Sequence, residues 1–237
     1  MSEALSVLKT IDQETLTESM HQNGYAVLKN ILTSEQCDAL TASYDQADLY
    51  RKSVVMERYR FGLGTYKYLN YPLPILIESL RKNLYPILVP IANSWMKVLG
   101  QDLQFPATHQ ELLENCAANG QTKPTPLILK YGKGGFNTLH QDLYGEIFFP
   151  IQMVIFLNEP GKDFTGGEFV LTQQNIRAQS KAIVLTPKKG ELLIFATNYR
   201  PVKGTKGYYR ANMKHGVSEV HSGERHTLGI IFHDALT

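Results

Sequence analysis

The sequence predicts an α+β chain with a mainly β core, a β-sandwich or jelly roll preceded by supporting helices. Up to residue 124 the apolar residues recur mostly at helical spacing. From Thr125 onward, short runs rich in β-branched and aromatic residues follow one another between Gly, Pro, Asn and Asp. The length, 237 residues, suits one large domain that buries its core without disulfides. A single domain over 1–237 is therefore expected, with 1–124 mostly helical and 125–237 forming the β core that carries the chemistry.

In chain order, IDQETLTESMHQNG places Leu16 and Met20 on one helical face and stops at Gly24, and YAVLKNIL then reads as a brief strand. In TSEQCDALTASYDQA, Thr33 or Ser34 can cap a second helix. The stretch RKSVVMERYRFGLGTYKYLNYPLP interleaves charge and ring. With Gly62 and Gly64 it suits either a mobile lid over a site or a solvated loop whose tyrosines pack on the barrel. YPLPILIESLRKNLYPILVPIANSWMKVLG predicts a helix broken near Pro86 and Pro90 and ending by Gly100, and HQELLENCAANG one more short helix. PLILKYG, FFPIQMVIFLN, GGEFVLTQ, KAIVLTP, GELLIFAT, ANMKHGVSEV and RHTLGIIFHD then read as strands, and the pair Gly166-Gly167 permits a bulge or close backbone approach.

Composition narrows the setting more than the partner. A net charge of +2 is too small to argue for nucleic acid by itself, although Lys and Arg gather between Arg51 and Arg60 and between Lys203 and Lys214. Cys37 and Cys116 stand far apart without zinc or CxxC spacing, which fits a reducing, cytoplasmic setting and buried thiols. No apolar run approaches the roughly 20 residues of a membrane helix. MSEALSVLKTIDQE lacks the basic start and apolar centre of a signal peptide, and no obligate protein partner is evident.

The chemistry concentrates in TLHQDLYGEIFFP. His140 and Asp142, two apart on an extended chain, project to one side and can grip one metal ion together. His109-Gln-Glu111 has the same local pattern, but in a helix residues two apart diverge. The third ligand must come from another strand, and His215 in MKHGVSEV supplies it. Arg225 follows in SGERHTLG, where a strand pair closed by a tight Ser-Gly turn would return it to the same cavity. Its guanidinium fork can bind a carboxylate in bidentate fashion. Structural roles are expected for His221 in the turn, for His226 on the opposite strand face from Arg225, and for His233 beyond the last strand.

The set His140-x-Asp142, His215, Arg225 resembles the 2-oxoglutarate- and Fe(II)-dependent dioxygenase superfamily. NGYAVLKNILTSEQCDAL is similar to the opening segment of many such enzymes, and TGGEFVLTQ to their glycine-rich barrel strand. LKYGKGGFNTLHQDLYGEIFFPIQMVIFLNEPGKDFTGGEFVLTQ and RANMKHGVSEVHSGERHTLGIIFHDA resemble a bacterial branch described as oxygenases acting on damaged, methylated DNA. The resemblance implies a double-stranded β-helix (jelly roll, cupin-like), Fe(II), and 2-oxoglutarate and O2 as cosubstrates. It makes His140, Asp142 and His215 the iron ligands and Arg225 the partner of the distal carboxylate of 2-oxoglutarate. Thr227 would add a hydroxyl to that carboxylate and Tyr131 would reach the cosubstrate, with Asn137 nearby. Arg58, Arg60, Tyr66, Tyr68 and Tyr144 are the candidate substrate contacts, with Glu146 beside them. The implied function is hydroxylation of a substrate C–H coupled to decarboxylation of 2-oxoglutarate, with methylated nucleic acid as the implied substrate. Two alternatives stand beside it: a hydroxylase of an amino acid, peptide or small metabolite, and a non-catalytic metal or 2-oxoglutarate sensor.

Overall fold

The computed structural model describes residues 8–237; the first residues of the segment weighed as a signal peptide lie outside them. Among the described residues, the α-helices are α1 (Gln13–Asn23), α2 (Ser34–Ala42), α3 (Ile75–Val98) and α4 (His109–Ala118). The strands are β1 (Tyr25–Leu28), β2 (Tyr50–Val55), β3 (Gly62–Leu63), β4 (Thr65–Leu69), β5 (Leu127–Tyr131), β6 (Phe136–His140), β7 (Ile151–Phe156) and β8 (Phe164–Gly166). They continue with β9 (Phe169–Gln174), β10 (Ser180–Leu185), β11 (Leu192–Ala196), β12 (Tyr199–Gly204), β13 (Gly207–Val217), β14 (Val220–Gly223) and β15 (Arg225–Ile230). A seven-stranded sheet runs β1-β11-β7-β15-β5-β4-β2, and a six-stranded sheet runs β10-β9-β13-β6-β3 with β12 on β13. The strands pair antiparallel, as a double-stranded β-helix requires.

Local chemistry explains the element ends. Asp12 accepts the backbone N–H groups of Glu14 and Thr15 to start α1, and Gly24 closes it in the left-handed conformation at φ 76°. Thr33 with Gln36 and Thr108 with Glu111 form reciprocal capping boxes on α2 and α4. Glu111, one half of the competing His-x-Glu pattern, is thus committed to a helix cap.

The helices cover the outer face of the seven-stranded sheet. Strand β7 shows how one sequence serves two cores. Ile151, Met153 and Ile155 pack with the cluster that contains Leu84, Leu88 and Trp95 of α3, while Val154 and Phe156 point inward to Phe169, Leu171 and Phe195. With both faces covered, β7 and β15 are buried along their whole length. No helix of the described residues is long and apolar enough to cross a membrane.

Three expectations need correction. First, α3 does not break at Pro86 and Pro90 but runs through both. Each proline is exposed, on the solvent side of the helix, so the carbonyl deprived of its N–H partner can turn to water. Second, the basic-aromatic stretch is not a loop. β2 and β4 pair as a hairpin, and β4 adds to β5, extending the main sheet. The alternation of Tyr66 and Tyr68 with Lys67 is a strand signal that the glycines and arginines obscured. Third, the Ser-Gly turn does not join His215 and Arg225 in one hairpin. β14 pairs with β8 in a separate ribbon, and the turn after it carries the chain into the opposite sheet. Gly223 has φ 76° there, and a Cβ on it would lie 2.0 Å from the Asp163 carbonyl.

Candidate active site

The two sheets bring the predicted residues together from opposite sides. His140 at the end of β6 and His215 in β13 are direct register partners, with ring centroids 4.2 Å apart. Asp142 lies just beyond β6, its Oδ2 3.2 Å from His215 Nε2 and its Oδ1 3.6 Å from His140 Nε2. One ligand atom from each of the three lies within 4.8 Å of the others, a spacing that could hold a metal ion.

Surroundings set the state of each group. His140 Nδ1 is 2.7 Å from the Thr138 carbonyl, which can only accept, so Nδ1 carries the proton and Nε2 offers its lone pair to the centre. Burial holds His215 below the usual imidazole range, a protonated His140 would lower it further, and Phe169 and Phe195 pack on its ring. Burial alone would push Asp142 upward. Its hydrogen bond to His215, the nearby imidazole charges and a hydrogen bond from Gln152 outweigh that and hold it well below the ordinary carboxylate range.

Arg225 enters from β15, next in register to Tyr131 of β5. Its guanidinium is fully buried among the rings of Tyr131, Phe156 and Phe164, whose centroids lie 5.6, 5.3 and 5.9 Å from Cζ. Nε, Nη1 and Nη2 have no hydrogen-bond partner, and burial pushes the group down to about 10. A buried cation with five unspent donors is costly unless an anion completes it. Gly167 permits the arrangement, since a Cβ there would come within 2.9 Å of Arg225 Cδ.

The cavity between the sheets measures about 270 Å³ and is lined by His140, Asp142, His215, Arg225, Tyr131 and Thr227 among others. Asn137 also lines it and donates to the Tyr131 hydroxyl at 3.2 Å. Of the candidate substrate contacts, Tyr66, Tyr68 and Tyr144 form part of its wall. Arg58, Arg60 and Glu146 are exposed and do not reach it, although Phe61 borders it and stacks on the exposed ring of Tyr59. His109 lies buried against the Phe232 carbonyl, His226 faces away toward Asn158, and His233 receives the Phe149 N–H. His221 is exposed, on β14 rather than in a turn.

Sequence reasoning missed Gln152, which donates to Asp142 Oδ2 at 2.9 Å and lies 3.3 Å from His215 Nε2. A signal existed: it is the lone polar residue in PIQMVIFL, and a buried polar group needs a partner.

Residues 64–235 match the family model Oxygenase-NA, described as an oxygenase catalysing oxidative methylation of damaged DNA. The chain belongs to this oxygenase family. An uncharacterized protein of Mycobacterium tuberculosis is 46% identical over 164 residues, 69% of this oxygenase and 70% of the relative. Among solved structures, a 2OG-Fe(II) oxygenase-family oxidoreductase from Burkholderia pseudomallei aligns at TM-score 0.58 and 15% identity, over 95% of this chain and 94% of its own. A Pseudomonas putida prolyl-4-hydroxylase aligns at 0.54 and 13% identity, covering 92% and 96%. A Trichoplax adhaerens prolyl hydroxylase, solved with a hypoxia inducible factor peptide fragment, aligns at 0.58 and 13% identity, covering 99% and 93%. At such identities the likeness is one of fold, and the oxygenase has the double-stranded β-helix of the 2-oxoglutarate- and Fe(II)-dependent dioxygenases.

Proposed function

We propose that this oxygenase binds Fe(II) through His140, Asp142 and His215, takes 2-oxoglutarate on Arg225, and hydroxylates an alkyl C–H of an alkylated nucleic-acid base. The observation that carries the cosubstrate assignment is the buried, unpartnered guanidinium of Arg225, aimed into the cavity that also holds the His–Asp–His cluster. The donor set suits iron: two imidazoles and one carboxylate form a facial half-set that leaves sites for other ligands. Bound together, iron and 2-oxoglutarate would supply the oxidising power for inserting oxygen into a C–H bond.

The chain's own residues do the positioning. The Arg225 fork matches a distal carboxylate in bidentate geometry. Thr227, two residues on along the same strand and also lining the cavity, offers a hydroxyl, and Tyr131 stands alongside as a neutral phenol because burial pushes it up. Aromatic walls from Phe169 and Phe195 exclude water from His215.

Two features support a base as substrate. Tyr66, Tyr68 and Phe61 give the cavity wall flat aromatic surface, and outside it the exposed Arg58 and Arg60 are sequence neighbours of Tyr59 and Phe61, where phosphates could be met. Apart from the metal-site residues and Arg225, no charged side chain among the described residues lines the cavity, so a free amino acid would find none of them to partner its ammonium and carboxylate groups. Hydroxylation of an N-methyl group gives a hemiaminal, which releases formaldehyde and restores the base. Coupled assays of succinate and formaldehyde over methylated oligonucleotides, peptides and amino acids test this reading. Equal yields of both products are expected on at least one methylated oligonucleotide. Succinate release without formaldehyde on every methylated DNA and RNA would contradict demethylation.

A further inference from the structure

We propose that Tyr144 is a positioning residue for the metal-binding carboxylate, held in place from the N-terminal hairpin by Tyr68. The proposal rests on the assignment of Asp142 as a metal ligand.

Besides its contact with His215, each oxygen of Asp142 receives one donor from outside the metal-binding set. The Tyr144 hydroxyl donates to Oδ1 at 3.0 Å, and Gln152 Nε2 donates to Oδ2 at 2.9 Å. An ionised carboxylate can only accept, so the single phenolic proton of Tyr144 is spent on Asp142. Its oxygen then accepts from the Tyr68 hydroxyl, 3.2 Å away, which fixes the direction of the whole chain: Tyr68 to Tyr144 to Asp142. The two tyrosine rings meet edge to face at 6.3 Å. Behind them the Arg51 guanidinium lies 4.7 Å above the Tyr68 ring and is anchored by its Nε bond to the Pro124 carbonyl. The chain therefore runs from β2 and β4, in the hairpin, to the segment after β6 that carries Asp142.

Asp142 needs this support because it follows β6 rather than lying in it, and the terminal torsion of a carboxylate is soft. Two donors on separate oxygens, from different parts of the chain, fix the carboxylate plane toward His140 and His215. Tyr144 lines the cavity, but its hydroxyl is already engaged, so it meets substrate only through its ring. Outer-shell partners of this kind typically change metal affinity by about 10- to 100-fold when removed.

Anaerobic Mn(II) titration of the full chain, read by electron paramagnetic resonance beside thermal unfolding, tests the role. Tyr144→Phe keeps the ring and removes the donor. It should weaken Mn(II) binding by about 10-fold or more and alter the bound-metal spectrum, with the unfolding temperature of the metal-free protein little changed. Tyr68→Phe should produce a smaller loss in the same direction, and it decides the matter if Tyr144→Phe does not fold. Unchanged Mn(II) affinity and spectrum in the folded variants would overturn the role of Tyr144 while leaving the metal site standing. Wild-type protein that binds Mn(II) no better than His140→Ala would instead remove the metal assignment on which the proposal rests.

Discussion

A buried guanidinium without a partner is an expensive thing to keep, and Arg225 has three unpaired nitrogens within a ring of aromatic side chains. The cost makes a prediction at the scale of one residue. Arg225→Met should make the ligand-free protein more stable, by on the order of 1 kcal/mol or more, because it removes an uncompensated buried charge. Saturating 2-oxoglutarate with Mn(II) should raise the unfolding temperature of wild type well above that of the metal-bound protein, and Arg225→Met should lose that increment. Paired thermal unfolding curves check both; a less stable variant that still responds fully to 2-oxoglutarate would contradict the assignment. The same scale shows what a sequence can and cannot display. His140, Asp142, His215 and Arg225 stood out because their side-chain chemistry is scarce and their order distinctive. Gln152 and the inward bond of Tyr144 depend on which atoms meet across strands, and no local spacing encodes that.

At the scale of elements, the strands of the barrel were legible because alternation of β-branched and aromatic residues between turn residues has few other meanings. The hairpin of β2 and β4 was hidden by its charge and glycine content, and the unbroken α3 by prolines whose exposed side the sequence does not announce. Buried histidines tie elements together. His109 joins α4 to the Phe232 carbonyl, His226 joins β15 to Asn158, and His233 is bonded to Phe149 ahead of β7. Burial pushes each of these down to about 4 from an ordinary value of 6.5. Between those values the unfolded chain binds more protons than the folded one, so stability rises with pH across the window. It is fully present above about pH 6.5 and declines as pH falls toward 4. Urea unfolding at a series of pH values should therefore show a plateau near neutrality and a steady loss below it; a midpoint constant from pH 7 to pH 4.5 would be inconsistent with neutral buried histidines.

The whole molecule works as a clamp of two sheets. The six-stranded sheet delivers His140 and His215, the seven-stranded sheet delivers Arg225, Tyr131 and Thr227, and the cavity lies between them. Helices on the outer face leave β7 and β15 buried on both sides, which keeps the wall behind the site dry. The C-terminal segment is fastened by Arg81 of α3, whose guanidinium binds the Ile231 and Phe232 carbonyls and Asp234 at 2.8 Å. The β-rich fold class was readable from the sequence. The path from His215 to Arg225 was not, because a turn signal shows where a chain reverses and not which sheet receives it. The most direct test of the account is anaerobic titration of the protein with Fe(II) and 2-oxoglutarate, followed by visible absorption. Wild type should show a weak metal-to-ligand charge-transfer band that is absent in His140→Ala and reached in Arg225→Met only at much higher 2-oxoglutarate. A wild-type spectrum with no band, or a band that survives His140→Ala unchanged, would contradict it.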